Sequence, residues 1–252
     1  MIVFPNAKIN IGLNVVEKRL DGFHNIESVF YPVFDVVDVL EIVESEVLAF
    51  TSTGIAIPGD ASSNLCVKAF KLLKKDFNIP DVKIHLHKMI PIGAGLGGGS
   101  ADAAFTLKVL NELFKLQLSK EELITYSRQL GSDCAFFINN KPVYAHHKGD
   151  EFEDVLLDIS NYEIVIEYPN IHIGTVEAYG GITPKSANKN IKELIQLPVE
   201  HWKENVVNDF ETSVFPKHPS IKRVKEQMYL NGAVFAAMTG SGSAVFGLFE
   251  KK

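Results

Sequence analysis

The sequence predicts an α+β protein, and three observations carry that reading. Segments at 8–15 and 82–87 alternate apolar and polar residues, the two-residue period of a strand. Segments from residue 65 and beyond residue 100 carry apolar residues at helical spacing. The two kinds follow one another without the regular strand–helix repeat of a parallel doubly wound sheet.

Taken in order, residues 8–15 set Ile9, Ile11, Leu13 and Val15 on one side and Lys8, Asn10, Gly12 and Asn14 on the other. This reads as a half-buried strand with one polar face. In "LDGFHNI", Asp21-Gly22 is a turn signal, and "ESVFYPVF" and "VVDVLEIVE" are strands rich in Val and Ile. "SSNLCVKAFKLLKKDF" spaces Leu65, Ala69 and Leu72 or Leu73 as a helix, with Ser62, Ser63 or Asn64 as its cap. "VKIHLHKM" returns to alternation, with Val82, Ile84 and Leu86 opposite Lys83, His85 and His87. A glycine-rich run then enters a helix reaching about Phe114. Ser119-x-x-Glu122 is a capping box opening another helix, which Gly131 closes. The polar run "HHKGDEFED" marks a boundary near residue 149, giving expected domains 1–149 and 150–252. Beyond it stand the strand "YEIVIEYP", a short helix after Thr175, and helices near 190–206 and 219–230. A hairpin of "AVFAAM" and "AVFGLF" joined by "TGSGS" completes the reading.

The chain has 252 residues, 46% of them apolar, enough for one large domain or two modest ones with a real core. A formal charge of −6 argues against a general nucleic-acid binder, while leaving room for a locally basic pocket for a small anion. No apolar run reaches the roughly 18 residues that span a bilayer, and "MIVFPNAKIN" lacks a signal-peptide pattern. Cys66 and Cys134 form neither a disulfide framework nor a metal motif, so a reducing cytoplasm and no resident metal site are expected.

The run "PIGAGLGGGSADAA" (91–104) holds five glycines in seven positions. Gly93, Gly95 and Gly98 spell the dinucleotide fingerprint, but the acid that should end a second strand about 20 residues on falls between two helices. Gly93, Gly98 and Ser100 spell a P-loop, with Gly99 where the phosphate-binding lysine should stand. What survives is the physics shared by such loops. Glycines admit close backbone approach and positive φ, and the helix start offers amide donors and a favourable dipole end to an anion. Any lysine must come from elsewhere, with Lys8 and Lys88 as candidates.

Six segments in order, "PNAKINIGL", "DGFHNIESVF", "PIGAGLGGGSADAA", "GSDCAFF", "NDFE" and "TGSGSAVFGLF", resemble the GHMP kinase superfamily. They run from residue 5 to 249, nearly the whole chain. The pairing of "AKIN" with "DGFH" is similar to the branch of the superfamily that serves the non-mevalonate isoprenoid pathway. The resemblance implies a two-lobed fold with the active site between the lobes. It also implies ATP, with Mg²⁺, as donor and the tertiary 2-hydroxyl of a diphosphocytidyl sugar alcohol as acceptor. A monomer or weak homodimer, without nucleic-acid or membrane partners, goes with it. Its glycine loop holds a triphosphate without a P-loop lysine.

On its residues alone Asp133 reads as a helix cap; the motif match implies the catalytic aspartate that accepts the hydroxyl proton. Lys8 matches the active-site lysine, and Asn10, on the same strand face, a substrate contact. Phe23 and His24 match the cytosine-recognition turn, where relatives usually carry tyrosine in place of Phe23. Tyr179, four residues after Thr175, matches an aromatic closing over the other face of the base. Asn64 and Lys88 match the adenine and phosphate side. Pro91 and Ile92 lead into the loop itself, Gly93, Ala94, Gly95, Leu96, Gly97, Gly98 and Gly99, which Ser100 and Ala101 close. Ala101 replaces a frequent serine, and "HHKGDE" stands where a G-x-G-E turn is usual. The competing readings are another GHMP kinase, acting on mevalonate, homoserine or a sugar, and a catalytically silent binding protein.

Overall fold

The computed structural model describes residues 1–185 and 190–251. Strands β1 (Ile2–Val3), β2 (Asn6–Lys18), β3 (His24–Val37), β4 (Val39–Ser45) and β5 (Ala49–Gly54) precede helix α1 (Leu65–Asp76). Then come β6 (Asp81–Lys88), α2 (Gly98–Leu113), α3 (Lys120–Arg128), α4 (Cys134–Asn139), β7 (Val143–His146), β8 (Glu151–Asp154) and β9 (Tyr162–Glu167). The chain continues through α5 (Thr175–Tyr179), α6 (Ile191–Leu194), α7 (Trp202–Asn205), α8 (Phe210–Val214), α9 (Pro219–Leu230), β10 (Phe235–Met238) and β11 (Val245–Glu250). The α+β class holds.

Two compact units interleave along the chain. One is built from Met1–Ala7, Pro32–Ile92 and Gly97–Lys141; the other from Lys8–Tyr31, Gly93–Leu96 and everything from Pro142 onward. In the first, β1, β4, β6 and β5 form a sheet in that order, β4 antiparallel and β5 parallel to β6. The alternation of β6 is real: Val82, Ile84 and Leu86 are buried, and they join Leu40, Ile42, Phe70, Leu107, Phe136 and Phe137 in the core. In the second, the sheets β2-β3-β7-β8 and β10-β11-β9 enclose a core that includes Leu13, Val15, Ile26, Phe210, Val214, Met228 and Met238. Among the described residues no helix is long and apolar enough to cross a membrane.

Three elements differ from expectation. β2 is not half-exposed: every residue from Asn6 to Val15 is buried, because both of its faces are covered. "HHKGDEFED", expected to mark a boundary, forms the turn and outer strand of the β7–β8 hairpin, with His146 paired to Glu151 and Tyr144 to Glu153. A single cut at residue 149 would also separate residues 8–31 from the unit whose core they share. Finally, the helix expected near 190–206 is two short helices, α6 and α7, because Pro198 interrupts the chain between them.

Candidate active site

β2 carries Lys8 and Asn10 into the interior of the second unit, where each polar atom needs a partner. Lys8 Nζ donates to Asn10 Oδ1 and sits 4.7 Å above the Phe30 ring. Asn10 Nδ2 donates to Ser28 Oγ (2.9 Å), and Ser28 Oγ donates to the Gly12 carbonyl (2.6 Å). The Asn10 amide donates to Thr239 Oγ1 (3.0 Å), the first residue of "TGSGS". That segment also braces the glycine loop: the Ala244 amide donates to the Ala94 carbonyl, and a Cβ at Gly242 would sit inside the Ala94–Gly95 peptide. The Lys8 amide closes the circle on the Leu96 carbonyl (2.9 Å). "NDFE" completes the brace, since Asn208 Nδ2 donates to the carbonyls of Met238 and Gly240 and Asp209 Oδ2 accepts the Val15 amide. Three motifs far apart in sequence thus form one hydrogen-bonded frame around Lys8.

The loop enters α2 through Gly97, whose φ of +71° and ψ of +11° are left-handed. Gly97 caps the helix without a side chain, so Ser100 is not the cap. The first-turn amides of α2 therefore remain as donors for an incoming anion. Among the described residues Gly99 is open, with Leu65 Cδ1 at 3.7 Å from the place of an added Cβ. Burial drives the thiol of Cys134, the first residue of α4, up to about 12. α4, which Asp133 opens, packs against α2. Asp133 occupies the cap position of α4, yet its side chain makes no capping bond.

Lys88 and Asn64 have structural work of their own. Asn64 is the cap of α1, accepting the Cys66 amide at 2.8 Å. Lys88 is 3% exposed and its ammonium lies between Asp38 Oδ2 (2.5 Å) and Asp102 Oδ2 (2.7 Å). Burial opposes its charge, but the two carboxylates outweigh that and raise its pKa. Asp38 also accepts the amides of Met89 and Ile90, while Asp102 Oδ1 has no hydrogen-bond partner among the described residues. An added Cβ at Gly98 would lie 2.9 Å from Lys88 Nζ, so the lysine packs under the first residue of α2. A nucleotide phosphate would have to compete with two carboxylates for it. Asp38 and Asp102 escaped the sequence reading, although an acid in "VVDVL" and another in "SADAA" are conspicuous among small and apolar neighbours.

At the β2–β3 turn, the rings of His24 and Tyr179 stack at 4.4 Å and 22°, and Tyr179 meets Phe210 edge-on at 4.8 Å. Burial, and then the charge of Lys18, lower the pKa of His24. Phe23 is 61% exposed, with Lys148 Nζ 5.4 Å from its ring centre. Thr175 opens α5, the short helix that carries Tyr179. The structure thus brings Tyr179 to the turn that carries Phe23 and His24, with its ring on that of His24.

Residues 64–141 match the GHMP kinase N-terminal domain and residues 185–252 the GHMP kinase C-terminal domain. These spans cover more than half of the chain, and the chain belongs to the GHMP kinase family. A protein of Parabacteroides distasonis called 4-diphosphocytidyl-2-C-methyl-D-erythritol kinase is 53% identical over 251 residues, which are 100% of this chain and 92% of that one. A crystal structure of 4-(cytidine 5'-diphospho)-2C-methyl-D-erythritol kinase superposes with a TM-score of 0.83 at 28% identity, covering 98% of this chain and 90% of that one. The homoserine kinase of Cytophaga hutchinsonii shares the fold at 17% identity, with a TM-score of 0.64 over 98% of this chain and 86% of its own.

Proposed function

We propose that this protein transfers a phosphoryl group from ATP, carried with Mg²⁺, to the 2-hydroxyl of 4-diphosphocytidyl-2-C-methyl-D-erythritol. The step belongs to the non-mevalonate route to isoprenoid precursors, in the cytoplasm. One observation carries the reading: the helix that Asp133 opens, α4, packs against α2, whose first turn follows a glycine cap without a side chain. The names of relatives at half identity over the whole chain give it its substrate.

Each residue has a role its surroundings suit. The amides opening α2 and the dipole of that helix hold the triphosphate, with Gly97 and Gly99 leaving room for it. Mg²⁺ supplies charge neutralisation on the phosphates when bound, and the Ser100 hydroxyl is the loop's candidate ligand for it. Asp133 accepts the proton of the acceptor hydroxyl as the bond to phosphorus forms. Lys8, oriented by Asn10 and the Phe30 ring, meets the negative charge that develops in transfer. Phe23, His24 and Tyr179 take the cytosine, and Phe23 offers an exposed ring face for stacking without a phenolic oxygen. Lys88 supports the loop from beneath rather than touching phosphate.

The test is phosphate transfer from ATP to a panel of the diphosphocytidyl alcohol, mevalonate, homoserine and galactose. Turnover confined to the first is the expected result. Turnover on another acceptor would make this a different GHMP kinase, and none at all would leave a binding protein.

A further inference from the structure

The β7–β8 hairpin gathers donors that the kinase reaction does not use. His146 and Glu151 are directly paired across the strands, and Tyr144 and Glu153 are paired two residues further along the same face. His147 begins the turn, with its φ at +56°. Glu151 Oε2 lies 3.9 Å from His146 Nδ1 and 3.7 Å from His147 Nε2. One ligand atom from each of the three residues lies within 4.8 Å of the other two.

We propose that His146, His147 and Glu151 form a site for one divalent transition-metal ion of the zinc class. Two imidazoles and a carboxylate are a zinc donor set, leaving a fourth position for water. Zinc bonds of about 2.0–2.2 Å set tetrahedral ligands roughly 3.4 Å apart. The two histidine–carboxylate edges, 3.9 and 3.7 Å, exceed that by a few tenths of an ångström and the histidine–histidine edge lies within 4.8 Å, so side-chain rotations must draw the three atoms together.

The surroundings of His146 carry the proposal beyond a chance cluster. Its Nε2 faces Glu153 Oε1 at 3.5 Å while its Nδ1 faces Glu151. A metal-binding histidine commonly gives its second ring nitrogen to a carboxylate, which fixes the tautomer and raises the basicity of the first. Glu153 is itself held by Lys192 Nζ at 2.6 Å. The His146 ring also stacks on Tyr144 at 5.6 Å and 23°, so its orientation is set before any ion arrives. The nearest cation of the turn, Lys148, is turned to Asp150 at 3.6 Å and to the Phe23 ring.

Calorimetric titration of zinc chloride into the full-length, chelator-stripped, nucleotide-free protein tests this. One saturable equivalent is expected, and cobalt(II) in its place should give the intense visible absorption of a tetrahedral site. His147→Gly is the decisive variant, because glycine accepts that positive φ and the hairpin should keep its fold. It should weaken zinc at least about 100-fold with an unchanged circular dichroism spectrum. Glu153→Gln should weaken zinc about 10–100-fold at the same stoichiometry, the usual worth of such a supporting carboxylate. His201→Gln, outside the cluster, should change nothing. Binding that is not saturable at one equivalent, or that survives His147→Gly, overturns the proposal.

Discussion

One ammonium between two buried carboxylates leaves a surplus negative charge, and burial penalises it. Asp38 can bear its charge: one oxygen accepts Lys88 and the other accepts two backbone amides. Asp102 cannot do so as well, because Oδ1 finds no partner among the described residues. Burial, joined by repulsion from Asp38 and opposed by Lys88, pushes the Asp102 carboxyl up to about 7. An aspartate in the unfolded chain titrates near 3.9. Between those values the folded protein holds a proton that the unfolded chain has released, so stability falls as pH rises through this window. Asp102→Asn keeps the shape and the Asp38 pair but has no proton to lose. Urea unfolding at several pH values from about 4 to 8 should therefore show wild type losing ground against the variant. Parallel pH dependences would remove the proton from Asp102. Asp133 gives a second prediction at this scale. Asp133→Asn should lower kcat by about 10²–10⁴-fold, the worth of a positioned base, with ATP affinity and fold nearly intact. Near-wild-type turnover would take Asp133 out of the chemistry.

The glycine loop and α2 act as one element, and Gly97 is where they join. At φ +71° a β-branched residue is a severe misfit, costing roughly 1–2 kcal/mol in backbone strain alone. Gly97→Val should weaken ATP binding about tenfold or more while leaving acceptor affinity, measured without nucleotide, almost unchanged. Equal loss of both affinities would point to general misfolding instead. Most elements here were legible because their signals are local. The capping box at Ser119 and Glu122 forms as the spacing implies, α9 starts at Pro219, and the last hairpin pairs around "TGSGS". What was hidden depends on distant covering. In β2 the alternation of apolar and polar residues is genuine, but no local pattern tells that Lys8, Asn10 and Asn14 are buried too. The burial of Lys88 was legible and went unread: it has the same parity in β6 as Val82, Ile84 and Leu86, which places it on the inner face. β5 lacks alternation and draws its partner from 30 or more residues away, so nothing nearby announced it.

At the scale of the whole molecule, the chain order and the folding units do not coincide. "HHKGDEFED" has the polarity of a linker, yet its backbone pairs as a hairpin, and the second unit reaches back to residue 8 for strands. Leu13, Val15 and Ile26 pack in one core with Phe210, Val214, Met228 and Met238. Asp209 and Asn208 further tie α8 and the last hairpin to β2 through buried and partly buried hydrogen bonds. A fragment of residues 150–252 would expose the apolar surface that β2 and β3 cover. Each large side chain left in water forfeits about 1.5–3 kcal/mol of burial, against a domain stability of only about 5–15 kcal/mol. Losing three such contacts, and the paired polar groups besides, should exhaust it. The fragment is therefore expected to show no cooperative thermal transition and a collapsed amide NMR spectrum. Co-expression with residues 1–149 should restore both, because the missing strands are then supplied on the other piece. A sharp, reversible transition in the isolated fragment would show that the C-terminal segment folds by itself, and that the frame around Lys8 is assembled on a finished domain rather than with it.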